Sequence, residues 1–296
     1  VGASFAGPFS ETFGRNLVYI TTLILFMIFL MASALAPNIG AQLAFRFLAG
    51  IFGSTPLTCA GGSISDMWNP IEKTFAFPIF AIAGFGGPVL GPVIGSYIIN
   101  LGSWRWAEWI ILILAGGVLG VIVLFQPETF PPLLLRWKAS HLRQETGNNK
   151  FKSAMEIVQK SLGARLSEAL IRPITFASEP IVLAMALYLT ILYIILFTFL
   201  DGYTYIFEQV YGISQGLTNV IFAGIFVGVL LAGAFVPWMY GKTKRSHEKG
   251  SFVPEERLWF AMLGAPAIPI SLFWMGWTSY VCLLSLPLCF ANLTIS

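Results

Sequence analysis

Leu17 to Ala36 is a run of twenty residues without a charge, and stretches of that kind recur along nearly the whole chain. At about 1.5 Å per helical residue, such a run crosses the roughly 30 Å hydrocarbon core of a bilayer. Ile39 to Ser65 follows with one charge, Arg46, inside it, and Thr74 to Ser103 carries none. Ser103-Trp104-Arg105-Trp106 marks a turn before a span ending near Gln126 and Pro127, and Pro180 to about Phe207 and Gly212 to Gly241 continue the series. Leu258 to Ser296, thirty-nine uncharged residues, is too long for one span and turns near Trp277-Thr278-Ser279-Tyr280. Val1 to Phe9 reads as the tail of another span. The runs are continuous and do not alternate in short strands, so helices rather than a barrel satisfy the backbone in lipid. An all-α polytopic membrane protein with seven complete spans and two partial ones is expected. Both ends of the chain fall within apolar runs, which reads as a fragment.

One long stretch is polar. Pro127 to Ser178 holds eight of the seventeen Lys and Arg residues, with four Glu among them. It divides the chain into a helix bundle at 1–126, a central loop at 127–178 and a second bundle at 179–296. Short loops rich in Lys and Arg stay cytoplasmic. Alternate threading puts Arg15, Lys73, the central basic residues and Lys242, Lys244, Arg245, Lys249 and Arg257 on that side, with Arg105 outside and Arg46 in the membrane. Met155, Val158, Leu162, Leu166 and Ala169 recur at helical spacing and predict an amphipathic helix along the inner membrane surface.

Chemistry by metal or triad finds little footing. Cys59, Cys282 and Cys289 lie in apolar runs, and His141 and His247 lie in charged loops. No G-x-x-x-x-G-K loop occurs, so no direct nucleotide drive is indicated. The residues call for no enzyme, cofactor, metal or nucleic-acid partner. Arg46 stands out, because an unpaired cation in a span costs a few kcal/mol and needs a partner or a wet cavity.

Gly7-Pro8-Phe9-Ser10-Glu11-Thr12-Phe13-Gly14-Arg15 resembles the cytoplasmic signature between helices two and three of the major facilitator superfamily. Gly7, Gly14 and Arg15 match it, Glu11 stands for Asp, and Asn16 replaces the usual second basic residue. Gly87-Pro88-Val89-Leu90-Gly91-Pro92-Val93-Ile94-Gly95 resembles the Gly-Pro motif of the family's antiporters on helix five. Ala60 to Asp66, Trp104-Arg105-Trp106, Pro127-Glu128-Thr129 and Asp201-Gly202-Tyr203 extend the similarity, which is to the fungal drug:proton antiporter branch with twelve spans. On that likeness the chain runs from the end of helix two to the start of helix ten.

The resemblance implies a monomeric secondary transporter of the plasma membrane, exporting drugs or polyamine-like cations in exchange for protons. It implies a conformational lock at Gly7, Glu11, Gly14, Arg15 and Asp66. Arg46 would serve proton coupling, often opposite an acid on helix one that this chain lacks. Gly87, Pro88, Gly91, Pro92 and Gly95 would form a close-packing face, although a kinked structural helix reads the same way. Asp201, with Tyr203, Tyr205 and Glu208, can hold a cation by charge and aromatic faces, or Asp201-Gly202 is a plain helix break. A seven-span receptor and an inactive fragment are the alternatives.

Overall fold

The computed structural model describes residues 2–99, 103–157, 163, 167, 171, 175–176, 178–210, 212, 215–248, 262 and 264–278. Among them all regular structure is helical. The helices are α1 (Gly2–Phe13), α2 (Arg15–Ala34), α3 (Ile39–Gly53), α4 (Thr55–Met67), α5 (Lys73–Ile99) and α6 (Arg105–Phe125). After them come α7 (Pro131–Thr146), the single turn α8 (Ala154–Ile157), α9 (Pro180–Tyr205) with a π-helical turn at Ile206–Val210, α10 (Gln215–Ala234), α11 (Val236–Glu248) and α12 (Ala267–Thr278).

Local chemistry sets the boundaries. Gly14 takes φ 99°, a left-handed geometry that favours glycine, and so parts α1 from α2. Asn38 caps α3, its side chain accepting from the Ala41 N–H at 2.8 Å. Pro56 lacks an amide and falls at the joint of α3 and α4, which together make one span-length element, Ile39–Met67. Pro131 opens α7 and Gly147, at φ 66°, closes it.

Six helical stretches are long and apolar enough to cross a membrane: Arg15–Ala34, Ile39–Met67, Lys73–Gly95, Arg105–Phe125, Pro180–Thr198 and Gly224–Glu248. The seventh expected span begins among residues outside the described set, which holds only its later part, α12. The sixth runs past Gly241, the expected end, through Lys242, Lys244 and Arg245. Cations in a last turn face the negative end of the helix dipole, which favours that extension. Most of the expected amphipathic helix, from Val158 onward, lies outside the described residues.

The chain divides into two compact units that do not follow its linear order. Residues 1–69 and 101–187 form the first, in which α2 packs on α3 and α6, and α1 on α4. Ala6, Val18, Tyr19 and Cys59 make its small apolar core. Residues 70–100 and 188–296 form the second, where α5 packs on α10 and α11. Val89 and Phe222 are its most buried residues, at 2% and 1% exposure. Phe75 lies against Tyr240 and Phe85 against Tyr193. Large apolar side chains such as Leu124, Phe125 and Phe273 stay exposed. Lipid tails solvate such surfaces as well as a protein core does, so a membrane protein can leave them outward.

Candidate functional site

Polar side chains of the first unit gather at the two ends of α2. At its N-terminal end, the Arg15 guanidinium pairs with Asp66 Oδ2 at 3.1 Å, and its Nη1 donates to Ser10 Oγ at 2.7 Å. It also lies 5.4 Å from the centre of the Phe130 ring. The pair depends on Gly62, one turn before Asp66 on α4. A Cβ there would stand 2.6 Å from the Arg15 Nη2, so the guanidinium lies flat on bare backbone.

Glu128 completes this end. Its Oε1 accepts the Arg15 N–H at 2.9 Å and its Oε2 the Asn16 N–H at 3.2 Å. The same carboxylate accepts the N–H groups of Thr129 and Phe130, each at 2.9 Å. One anion thus satisfies two of the free donors at the start of α2, at the positive end of its dipole, and two in the turn into α7. A Cβ on Gly14 would strike Glu128 Oε2 and the Leu133 side chain, so glycine is needed for space as well as for φ.

Of the residues expected in the conformational motif, Gly14, Arg15 and Asp66 meet here. Gly7 contributes its carbonyl, which accepts from Ser10 Oγ at 2.7 Å. Glu11 is exposed on α1 and makes no ion pair among the described residues.

The second cluster lies at the other end of α2. Arg46, on α3, donates to Glu108 Oε1 from Nε at 3.0 Å and from Nη2 at 2.7 Å. Ser33, near the end of α2, donates to the same oxygen at 3.2 Å, and Gln42 at 3.4 Å. Glu108 sits in the first turn of α6 with its side chain 2% exposed, whereas that of Arg46 is 56% exposed. Three helices therefore place a buried carboxylate behind an accessible guanidinium. The carboxylate that pairs with Arg46 comes from α6, and sequence reasoning passed over Glu108. Its signal was present: a carboxylate that starts an apolar run, in a chain whose intramembrane arginine lacked a counter-ion.

In the second unit, Gly87, Pro88, Gly91, Pro92 and Gly95 all lie on α5, which stays helical through Pro78, Pro88 and Pro92. A Cβ on Gly87, Gly91 or Gly95 would meet no atom within 4 Å, so these glycines face open space among the described residues. The tight approach in this unit is at Gly233 of α10, where a Cβ would come 2.6 Å from Ile82 Cδ1. Tyr205 is exposed at the end of α9, and Glu208 is half-buried in the π-helical turn with Oε1 unpartnered among the described residues. The side chains of Asp201 and Tyr203 lie outside the described set, so the expected cation site is not brought together here. Among the described residues no group of His, Cys, Asp and Glu could hold a metal ion.

Comparison with known proteins gives a consistent picture. The pattern of the Major Facilitator Superfamily matches residues 1–295. The MFS-type transporter kojT of Aspergillus oryzae is 51% identical over 94% of this chain and 51% of its own length. Transporter mfs1 of Schizosaccharomyces pombe is 37% identical, over 94% of this chain and 54% of its own. The citrinin biosynthesis cluster MFS transporter mrr1 of Monascus ruber is 36% identical, over 94% of this chain and 57% of its own. The chain spans about half the length of these curated relatives. No solved structure matches it.

Proposed function

The chain belongs to the Major Facilitator Superfamily, and on that premise we propose that the protein is a secondary transporter exporting small organic compounds in exchange for protons. The observation that carries this reading is the Arg46–Glu108 pair at 2.7 Å, set among span-length helices with the carboxylate 2% exposed. Ionisable groups in such surroundings are costly and mark ion pathways and proton relays. A carboxylate held by one guanidinium is a group whose charge a proton can cancel, which gives a proton gradient something to act on.

Other features agree with it. The resemblance of Gly87, Pro88, Gly91, Pro92 and Gly95 to the antiporter motif favours exchange over uniport. Gly7, Glu11, Gly14, Arg15 and Asp66 serve as the lock of one conformation, and Asp201, Tyr203, Tyr205 and Glu208 as the substrate site in the second half. Drugs and polyamine-like cations are the substrate class, and one relative's association with a citrinin cluster adds small secondary metabolites. The protein works as a monomer in the plasma membrane, with 127–178 in the cytoplasm between bundles at 1–126 and 179–296. Transporter names among the relatives leave the seven-span receptor without support.

The test uses the full-length protein in sealed vesicles with an acidic lumen, with ethidium, spermidine and citrinin as probes. Uphill accumulation of a probe that a protonophore abolishes is the expected result. Probe movement that is indifferent to the pH gradient in every case overturns the proposal.

A further inference from the structure

We propose that Glu108 carries the exchanged proton and binds it at Oε2, an inference that rests on the proton-exchange reading above. Four donors reach this carboxylate and all of them end on Oε1: Ser33 Oγ, Gln42 Nε2, and the Nε and Nη2 of Arg46. Oε2 is buried and has no hydrogen-bond partner among the described residues. Native structures leave few buried polar atoms in that state, so the orphan needs a physical account. A proton provides one. Bound at Oε2, it neutralises the carboxylate while Oε1 remains an acceptor for every existing donor, so loading breaks no hydrogen bond. The step is proton transfer alone: a proton delivered by water bonds to Oε2 and later leaves from the same atom, with no change of oxidation state.

Among the described residues Glu108 has one charged partner. From α3 that partner is Arg46. From α2 comes the uncharged Ser33, while Arg15 lies at the opposite end of that helix and Tyr19 bonds Ser63 at 3.0 Å. On α6 itself, Arg105 lies over the Trp104 ring. Loading a proton therefore turns a neutral pair into a site with one uncompensated positive charge, held by a side chain that is 56% exposed. Such a charge in lipid surroundings draws an oxygen acceptor from water or substrate. Arg46 is then the positioning residue through which the proton on Glu108 reaches the substrate. Glu108 stands one turn from Arg105, and under the proposed orientation that end faces outward, where protons enter during export.

The test compares full-length wild type with Glu108→Gln and Glu108→Asp in vesicles, with ethidium, spermidine and citrinin as probes and entrapped pyranine as the proton indicator. Gln keeps the shape and the Oε1 acceptor while removing the titration. Glu108→Gln is expected to retain probe counterflow and to lose both gradient-driven accumulation and probe-induced proton movement, with Glu108→Asp recovering part of each. Gradient-driven accumulation in Glu108→Gln equal to wild type overturns the inference, and so does loss of counterflow along with it, which makes Glu108 structural. Wild type without proton coupling would instead sink the parent reading. Should Glu108→Gln fail to reach the membrane, dicyclohexylcarbodiimide on wild type asks the same question, since it attacks protonated carboxyls in apolar surroundings. Modification of Glu108 that falls as pH rises supports the inference. An unmodified Glu108 at every pH that sustains transport overturns it.

Discussion

Arg46 holds Glu108 through two nitrogens on one oxygen, and that geometry separates charge from shape. Lys keeps the charge but loses the planar fork, and Gln keeps polarity without charge. Arg46→Gln is expected to retain probe binding and lose proton-driven export, with Arg46→Lys intermediate, measured on the same membranes across pH. Normal export by Arg46→Gln at every pH would reduce the pair to a structural one. At the other end of α2, Gly62→Val should push the Arg15 guanidinium off Asp66, because a Cβ there stands 2.6 Å from Nη2. Loss of a partly buried charged hydrogen bond costs about 1.5–3 kcal/mol, read as a lower thermal midpoint in detergent. An unchanged midpoint would mean that Arg15 finds another route to Asp66. Arg15 and Asp66 were legible because both lie in recognisable loop motifs. Glu108 was not, because Trp104-Arg105-Trp106 just before it reads as an interface turn and absorbs the acid into that turn. Which helix faces Arg46 is a tertiary fact that no spacing within α6 encodes.

Packing of whole elements distinguishes two sets of glycines. Gly233 lets α10 approach Ile82 of α5, whereas Gly91 looks onto open space among the described residues. Gly233→Leu should therefore lower folding yield and transport together, while Gly91→Leu should leave surface expression near wild type and impair transport, a face needed only when the helices rock. Loss of expression in step with transport for Gly91→Leu would make it a packing residue as well. The tie between α7 and α8 gives a pH expectation. Arg143 grips both oxygens of Glu156 at 2.8 and 2.9 Å, and the Ser153 N–H adds a bond at 3.0 Å. These bonds from Arg143, then the backbone bond, hold the Glu156 carboxyl down at about 2, below its ordinary 4.5. A lowered value means that the clamp contributes in full above about 4.5 and loses that contribution progressively as pH falls from there through about 2. Amide exchange protection at Glu156 and Ile157, corrected for intrinsic rate, should be level above about 4.5 and fall as pH drops from there toward 2, and Glu156→Gln should lower the plateau and flatten the fall. Protection in wild type that stays level from about 4.5 down to about 2 would show that the clamp adds nothing to the stability of this turn.

Across the whole molecule, the threading of spans is the boldest expectation. Pro127 to Ser178 and the basic residues after Gly241 should face the cytoplasm, and Arg105 the outside. A Lys150→Cys variant should resist an impermeant thiol reagent in sealed cells, and its labelling would invert the topology. Helix content and most span limits followed from run length, because lipid forces every backbone group into internal bonds. The two compact units did not follow, since residues 70–100 join the second half by contacts that hydropathy does not record. One feature of the first unit bears on motion. Arg15 and Ser33 lie eighteen residues apart on α2, a rod of about 27 Å between its two anchored ends. A rigid lever of that length needs a tilt of only about 2° about one end to carry the other by about 1 Å, enough to take a hydrogen bond out of range. A tilt that frees Ser33 from Glu108 while Glu128 holds the Arg15 N–H would turn α2 about its first residue, and one that frees Arg15 would turn it about its last turn.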